Sequence, residues 1–133
     1  MDYRPQAGLP FTGIRTFMRL PHSQREEDLR QVDFAVIGLP FDLGTTYRSG
    51  ARLAPAAIRA SSVRLRGYNP FLDIDTFEHL KGLDYGDVQV VLGQTELSYA
   101  RMTGALERLL ALEVVPVVLG GDHSISLPEL RAL

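Results

Sequence analysis

Two short apolar runs, at residues 32–39 and 114–119, are the strongest pattern in the chain. Both are rich in β-branched residues and both run into glycine, which predicts strands. For the run at 114–119 the pattern indicates a strand whose side chains are buried on both faces of a sheet. A weaker alternation within 83–92 predicts a further short strand and its exit. Because Pro116 cannot donate an amide to a sheet, the paired part of the last strand should begin near Val117, unless that strand lies at an edge.

Helical patterns lie between and after these runs. Pro55 stands in the first turn of a helix that should stop at Gly67, and apolar residues recur at spacings of three and four after Thr95, a plausible helix N-cap. Ser126 and Glu129 have capping-box spacing at the start of a last helix. Strand, loop and helix form half of a βαβ unit, so parallel strands follow if the next strand returns alongside. The pattern therefore predicts an α/β fold.

Residues 1–31 contain proline and glycine throughout and are predicted to form an irregular arm, ahead of an α/β part at 32–133. The arm has too many apolar side chains for a disordered tail. We therefore expect it to pack against another surface.

The composition indicates a single domain without marks of secretion. The chain has 133 residues, 45% of them hydrophobic, and no apolar run approaches the ~20 residues of a membrane span. It has no cysteine, and its amino terminus lacks a signal pattern, so the cytoplasm is the expected location. A net charge of −2 argues against general nucleic-acid binding.

The segment between Asp42 and Asp73 contains no acidic residue but several arginines. We interpret these as a solvated helix face that pairs with carboxylates elsewhere in the domain or on a neighbouring subunit, rather than as a phosphate or nucleic-acid site. The loop at 41–53 lacks the lysine and glycine spacing of a P-loop, which disfavours nucleotide binding there. The arginines are Arg48, Arg52, Arg59, Arg64 and Arg66.

Two groups of potential metal ligands are weighed against structural roles. Asp73 and Asp75 would point the same way on an extended chain, yet an acidic surface loop is the favoured interpretation. His79 and His22 have no partner at ligand spacing, so they are expected at the surface or at a cap.

The motif GGDHS at 120–124 directly follows the last predicted strand. Its two glycines allow a tight turn, and Ser124 or Ser126 is placed to cap the next helix. Ligands of parallel sheets bind beyond the carboxyl ends of the strands, which is where Asp122 and His123 fall. Because cysteine is absent, a metal here would be held by histidine and carboxylates, as suits Mn²⁺ or a similar harder ion.

GGDHS, together with IGLPFDLGTTYRSGARLAPAAIR at 37–59 and YGDV at 85–88, resembles the start of the ureohydrolase (arginase and agmatinase) family. FTGIRTFMRLP at 11–21 resembles the agmatinase branch more than the arginases proper. The resemblance implies a three-layer α/β/α fold with a mainly parallel sheet, incomplete here, in which residues 1–133 are the amino-terminal part of one domain. It also implies a homo-oligomer.

The same resemblance implies Mn²⁺-dependent hydrolysis of a guanidino compound, agmatine or similar, to urea and an amine. Two Mn²⁺ ions activate a bridging water in this family. By resemblance His123 is a metal ligand, while Asp122 at most orients the loop.

The later ligand motifs of the family, Asp-x-His-x-Asp and Asp-x-Asp, do not follow His123. A lone histidine cannot hold a catalytic metal, because such sites need about three protein ligands. Two hypotheses result: the chain is a piece of a ureohydrolase that shares the family's activity, or it is a non-catalytic remnant that serves as a structural or interaction module. A small nucleotide-binding α/β domain is a third alternative.

Overall fold

A computed structural model describes residues 1–9 and 11–133. Short 3₁₀ turns occur at Phe17–Arg19, Ala51–Leu53 and His123–Ile125. The helices and strands follow in the order α1 (Glu26–Leu29), β1 (Phe34–Leu39), α2 (Ala54–Ser62), β2 (Tyr68–Asn69), β3 (Ile74–Asp75), α3 (Thr76–His79), β4 (Gly82–Asp87), α4 (Thr95–Ala111), β5 (Val115–Gly120) and α5 (Ser126–Ala132).

The main sheet has three parallel strands in the order β4-β1-β5, which confirms the predicted parallel α/β arrangement. β1 lies in the middle, with Ala35 opposite Leu83 of β4 and Pro116 of β5. Its side chains are covered on both faces. The carboxyl ends of all three strands therefore meet at one edge of the sheet.

Helices and the arm cover the two faces of this sheet. Ile37 of β1 joins Met102, Leu106 and Leu109 of α4 in one core cluster, which confirms the amphipathic helix predicted after Thr95. Burial of each such side chain contributes roughly 1.5–3 kcal/mol. On the other face Val36 and Leu119 pack with Leu20 and Phe77. Three layers result.

The arm at 1–31 packs only in part. Leu20 is fully buried, and the Tyr3 hydroxyl donates to the Asp28 carboxylate at 2.9 Å. Phe11 and Ile14, however, are exposed and do not pack against the rest of this chain.

The predicted two-sided burial of β5 is wrong. Val115 is 60% exposed and Val117 39%, because β5 lies at the edge of the sheet and one of its faces is incompletely covered. Pairing begins at Val115 rather than near Val117, and Pro116 is accommodated because the strand is an edge strand.

Several predicted helix ends also differ. α2 stops at Ser62 instead of continuing to Gly67, and Thr95 and Ser126 are the first residues of their helices rather than caps. Asp122 takes the capping position before the 3₁₀ turn that leads into α5. The alternating residues at 88–92 form a loop. No helix over the described residues has the length and apolarity needed to cross a membrane.

Candidate functional site

The loops that follow β1 and β5 touch at the carboxyl edge of the sheet. The Asp122 amide donates to the Phe41 carbonyl oxygen at 2.8 Å. A Cβ at Gly121 would lie 1.8 Å from that same oxygen, so only glycine allows this approach. Gly121 of GGDHS thus allows the two loops to touch.

The Asp122 carboxylate fastens this contact. Its Oδ2 accepts from the Gly44 amide at 2.8 Å, and its Oδ1 accepts from the Ser124 amide at 2.8 Å and from the Ser124 hydroxyl. Asp122 therefore orders both loops, and Ser124 is a donor to the cap rather than the cap itself.

His123 directly follows Asp122, and its side chain is exposed. It opens onto a cleft of about 460 Å³ between the two loops. The cleft is lined by Gly44, Thr45, Thr46, Tyr47, Arg48, Asp122, His123 and Ser124.

The loop that follows β1, residues 40–53, is held in place by the buried side chain of Asp42. Its carboxylate accepts from Arg52 Nε at 2.6 Å and from the Gly50 amide at 2.6 Å. The hydrogen bond from Arg52, followed by that from Gly50, lowers the pKa of Asp42 to about 2. Sequence reasoning missed Asp42, although an acid at the border of the arginine-rich segment was a usable signal.

Arg59 forms a second buried ion pair, between α2 and β4. Its Nε and Nη2 donate to the Asp84 carboxylate at 2.8 and 3.0 Å, and Nη1 donates to Asp87 at 2.6 Å. Burial lowers the pKa of Arg59, but these hydrogen bonds raise it more, and the net result lies above its ordinary value. The predicted pairing of arginines with carboxylates elsewhere in the domain is thus confirmed for Arg52 and Arg59. The prediction that these arginines lie on a solvated helix face is wrong for Arg59, because its side chain is only 8% exposed.

The other candidate ligands have structural roles. Asp73 accepts from the Tyr68 hydroxyl at 2.8 Å, and Asp75 caps α3 by accepting from the Phe77 amide at 2.9 Å. These contacts confirm an acidic surface loop. His22 and His79 are exposed, and His22 Nδ1 lies 2.8 Å from the Asp84 carbonyl oxygen.

His123 does not belong to a metal-binding group in the part of the chain that the structure describes. Residues 1–9 and 11–133 contain no group of three or more His, Cys, Asp or Glu that could hold a metal ion. Since a catalytic metal needs about three protein ligands, these residues alone do not form the site that the resemblance implies.

Comparison with known proteins connects this geometry to one family. A family model described as the arginase family matches residues 32–133. A guanidinobutyrase from Pseudomonas aeruginosa is 42% identical over 123 residues, which is 92% of this chain and 39% of that protein. The chain thus spans about two fifths of the length of this relative.

Solved structures give the same result. A hypothetical agmatinase from Burkholderia thailandensis superposes with a TM-score of 0.88 at 35% identity, over 99% of this chain and 42% of that one. A Trypanosoma cruzi formiminoglutamase with Mn²⁺ superposes with a TM-score of 0.70 at 35% identity, over 83% and 36% of the two chains. The implied fold is therefore confirmed, and only part of it is present here.

Proposed function

This chain belongs to the arginase family, and from that membership we propose that the protein it is part of hydrolyses a guanidino compound, agmatine or a related one, to urea and an amine. The match over residues 32–133 carries this proposal. The names of the guanidinobutyrase and agmatinase relatives support guanidino substrates. The open cleft at the strand tips, where parallel sheets bind their ligands, supports this proposal.

His123 is proposed as one ligand of the family's pair of Mn²⁺ ions. Its ring is exposed in the cleft, and the loop that carries it is held by Gly121 and Asp122. A neutral imidazole offers a lone pair that suits Mn²⁺, the ion with which the Trypanosoma cruzi formiminoglutamase was crystallised. The remaining ligands would come from the part of the family domain that this chain does not span.

A chimera tests both proposals: this chain replaces the matching 123 residues of the Pseudomonas aeruginosa guanidinobutyrase. We expect it to release urea from guanidino substrates. His123→Ala should lower bound Mn²⁺, chiefly at one of the two sites, and should cut kcat by at least about a hundredfold, because even residues that only support a metal ligand contribute up to that much. Metal analysis and circular dichroism separate this loss from unfolding.

His79→Ala is the matched control, since His79 is also exposed but stands at the end of α3 and does not line the cleft. It should leave metal content and turnover unchanged. A His123→Ala chimera that keeps two Mn²⁺ per subunit and normal turnover would contradict the ligand role.

One observation favours the second candidate function, a non-catalytic structural or interaction module. The described residues lack a metal-binding group, while β5 presents exposed valines at a free sheet edge. A chimera that folds and binds Mn²⁺ but releases no urea from any guanidino substrate would favour this module. A downstream reading frame with the Asp-x-His-x-Asp motif would favour the enzyme.

A cytoplasmic homo-oligomer is also proposed. The apolar side chains of Phe11 and Ile14 are largely exposed in the single chain. We propose that the arm carrying them is the contact between copies of this protein, where these side chains would be covered. Deletion of residues 1–20 should lower the mass in solution, and an unchanged mass would remove this argument. The lack of cysteine supports the cytoplasm.

A further inference from the structure

We propose that this chain associates with the carboxyl-terminal part of an arginase-family domain supplied as a separate polypeptide. That part adds a strand to the outer edge of β5 and fills an apolar groove between α4, β5 and α5. The inference goes beyond the proposed function because it concerns assembly, and it holds whether or not the assembly hydrolyses a guanidino compound.

The two edges of the main sheet differ. The arm closes the β4 edge, where the Asp84 amide donates to the Pro21 carbonyl oxygen at 2.9 Å and the Ser23 amide donates to the Asp84 carbonyl oxygen at 3.2 Å. At the other edge β5 pairs with β1 alone among the strands that the structure describes. An unpaired edge of this kind offers its backbone groups to a further strand. The sheet can therefore be extended at β5.

One face of the sheet is partly bare next to this edge. Val117 lies opposite Val36 of β1, so the two side chains share a face. Leu20 and Phe77 cover Val36, but this cover does not extend to Val117 and Val115, which stay exposed. A strand added beside β5 would bring its own cover to these valines.

The opposite face carries the groove, which has a volume of about 480 Å³. It is bordered by Leu110 of α4, Val118 of β5 and Leu133 just after α5, and Leu133 is 88% exposed. Glu113 and Glu129 also border it, so a surface that covers the groove should offer hydrogen-bond donors to these carboxylates. Apolar surface on both sides of an open strand indicates an interface rather than a solvated surface.

The lengths of the relatives identify the occupant. About three fifths of the Pseudomonas aeruginosa guanidinobutyrase lies outside the match, and more than half of the Burkholderia thailandensis agmatinase has no counterpart in this chain. Since the arm already closes the β4 edge, the β5 edge and the groove are the surfaces left for the remaining part of such a domain. A second copy of this chain would not supply that part.

The occupant can be a separate polypeptide because of the way parallel strands are connected. Such strands are joined by long crossovers and not by tight turns, so the strand that joins β5 need not be held by the chain that follows α5. A break in that connection removes no hydrogen bond of the sheet and lowers only the effective concentration of the two parts.

Co-expression tests this inference. This chain is produced together with a tagged polypeptide, the part of the Pseudomonas aeruginosa guanidinobutyrase that follows its matched 123 residues. We expect the tag to capture this chain in a soluble one-to-one complex, with the mass measured by light scattering. Urea release is followed in the same sample. A complex that forms but releases no urea contradicts the proposed function and supports the association, whereas an active single-chain chimera without a complex between the two separate parts overturns the association alone.

Variants of this chain then compete with the wild type for the tagged polypeptide in the same cells. Leu133→Lys and Val115→Lys each place a charge at an exposed apolar position of the uncovered surface. Each should lower the captured ratio of variant to wild type about ten- to a hundredfold, the scale of one buried aliphatic side chain. Because both positions are exposed in this chain, the changes leave its own core in place.

Phe71→Lys is the matched control. Phe71 is 96% exposed between β2 and β3 and does not border the groove, so this variant should be captured as well as the wild type. The inference is overturned if the tagged polypeptide captures no chain, or if the chain assembles only with itself. It is also overturned if Leu133→Lys and Val115→Lys are captured as well as the wild type, or if Phe71→Lys loses as much as they do.

Discussion

Replacement of Arg59 with methionine should destabilise the protein by about 3–5 kcal/mol, because it leaves a carboxylate buried without its cation. Arg59 and Asp84 are 8% and 1% exposed, and two guanidinium nitrogens contact the two Asp84 oxygens at 2.8 and 3.0 Å. Methionine retains the apolar stem, so the change tests the charge more than the packing.

The contacts of Asp84 and Asp87 place the expected loss of stability near 3 kcal/mol, the lower end of this range. Asp84 keeps two other donors, the Phe17 amide at 2.7 Å and the Gly86 amide at 2.9 Å, and these retain part of its solvation. Asp87, the second partner of Arg59, is partly exposed, so its pairing contributes less. A loss of about 3 kcal/mol is still a large fraction of the roughly 5–15 kcal/mol that stabilises a protein.

Equilibrium urea unfolding of the chimera, at fixed protein concentration, measures this loss. The double variant Arg59→Met with Asp84→Asn is the decisive comparison, since asparagine removes the buried charge and still accepts from the Phe17 amide. It should be more stable than Arg59→Met alone. A loss below about 1 kcal/mol for the single variant, or a double variant less stable than the single, would refute the reasoning.

Three further outcomes are expected. Gly121→Ala should lower the free energy of unfolding by about 3 kcal/mol or more, because the new Cβ meets the Phe41 carbonyl oxygen. Gly104→Ala, whose Cβ would enter open space on α4, should raise it by about 0.5–1 kcal/mol. Equal unfolding midpoints for the two variants would contradict this. The pKa of Asp42 is lowered from 3.8 to about 2, so its stabilisation is present above about pH 4 and is lost as the pH falls towards 2; the difference in unfolding midpoint between wild type and Asp42→Asn should narrow over that range. Residues 1–133 alone should aggregate through the β5 edge, and a sharp thermal transition of a monodisperse monomer would count against this.

The sequence predicted those parts of the fold that depend on local pattern. The spacing of Met102, Leu106 and Leu109 predicted α4, and the apolar run at 32–39 predicted β1 as a strand. The similar apolar run of β5 did not predict that its side chains are partly exposed. The burial of a strand depends on its place in the order β4-β1-β5 and not on its own residues. Periodicity carries no information about that order.

The site was predictable where a motif marked it and missed where contacts were distant. GGDHS marked the loop that carries His123, but Asp84 pairs with an arginine 25 residues away, and no local spacing reports such a contact. The cap was misassigned to Ser124 or Ser126 because several residues near 122–126 can cap a helix. Asp122 holds that position with help from Gly44, which lies 78 residues earlier in the chain.

Pro116 also restricts what can join the free edge of β5. The Val115 amide donates towards β1, to the Asp33 carbonyl, and amides along a strand alternate between its two edges, so the amide that proline lacks belongs to the outer edge. The outward donors of β5 are thereby reduced to Val118 and Gly120. A strand added to this edge can accept hydrogen bonds from β5 only over its carboxyl-terminal half, near the end of the sheet where His123 lies.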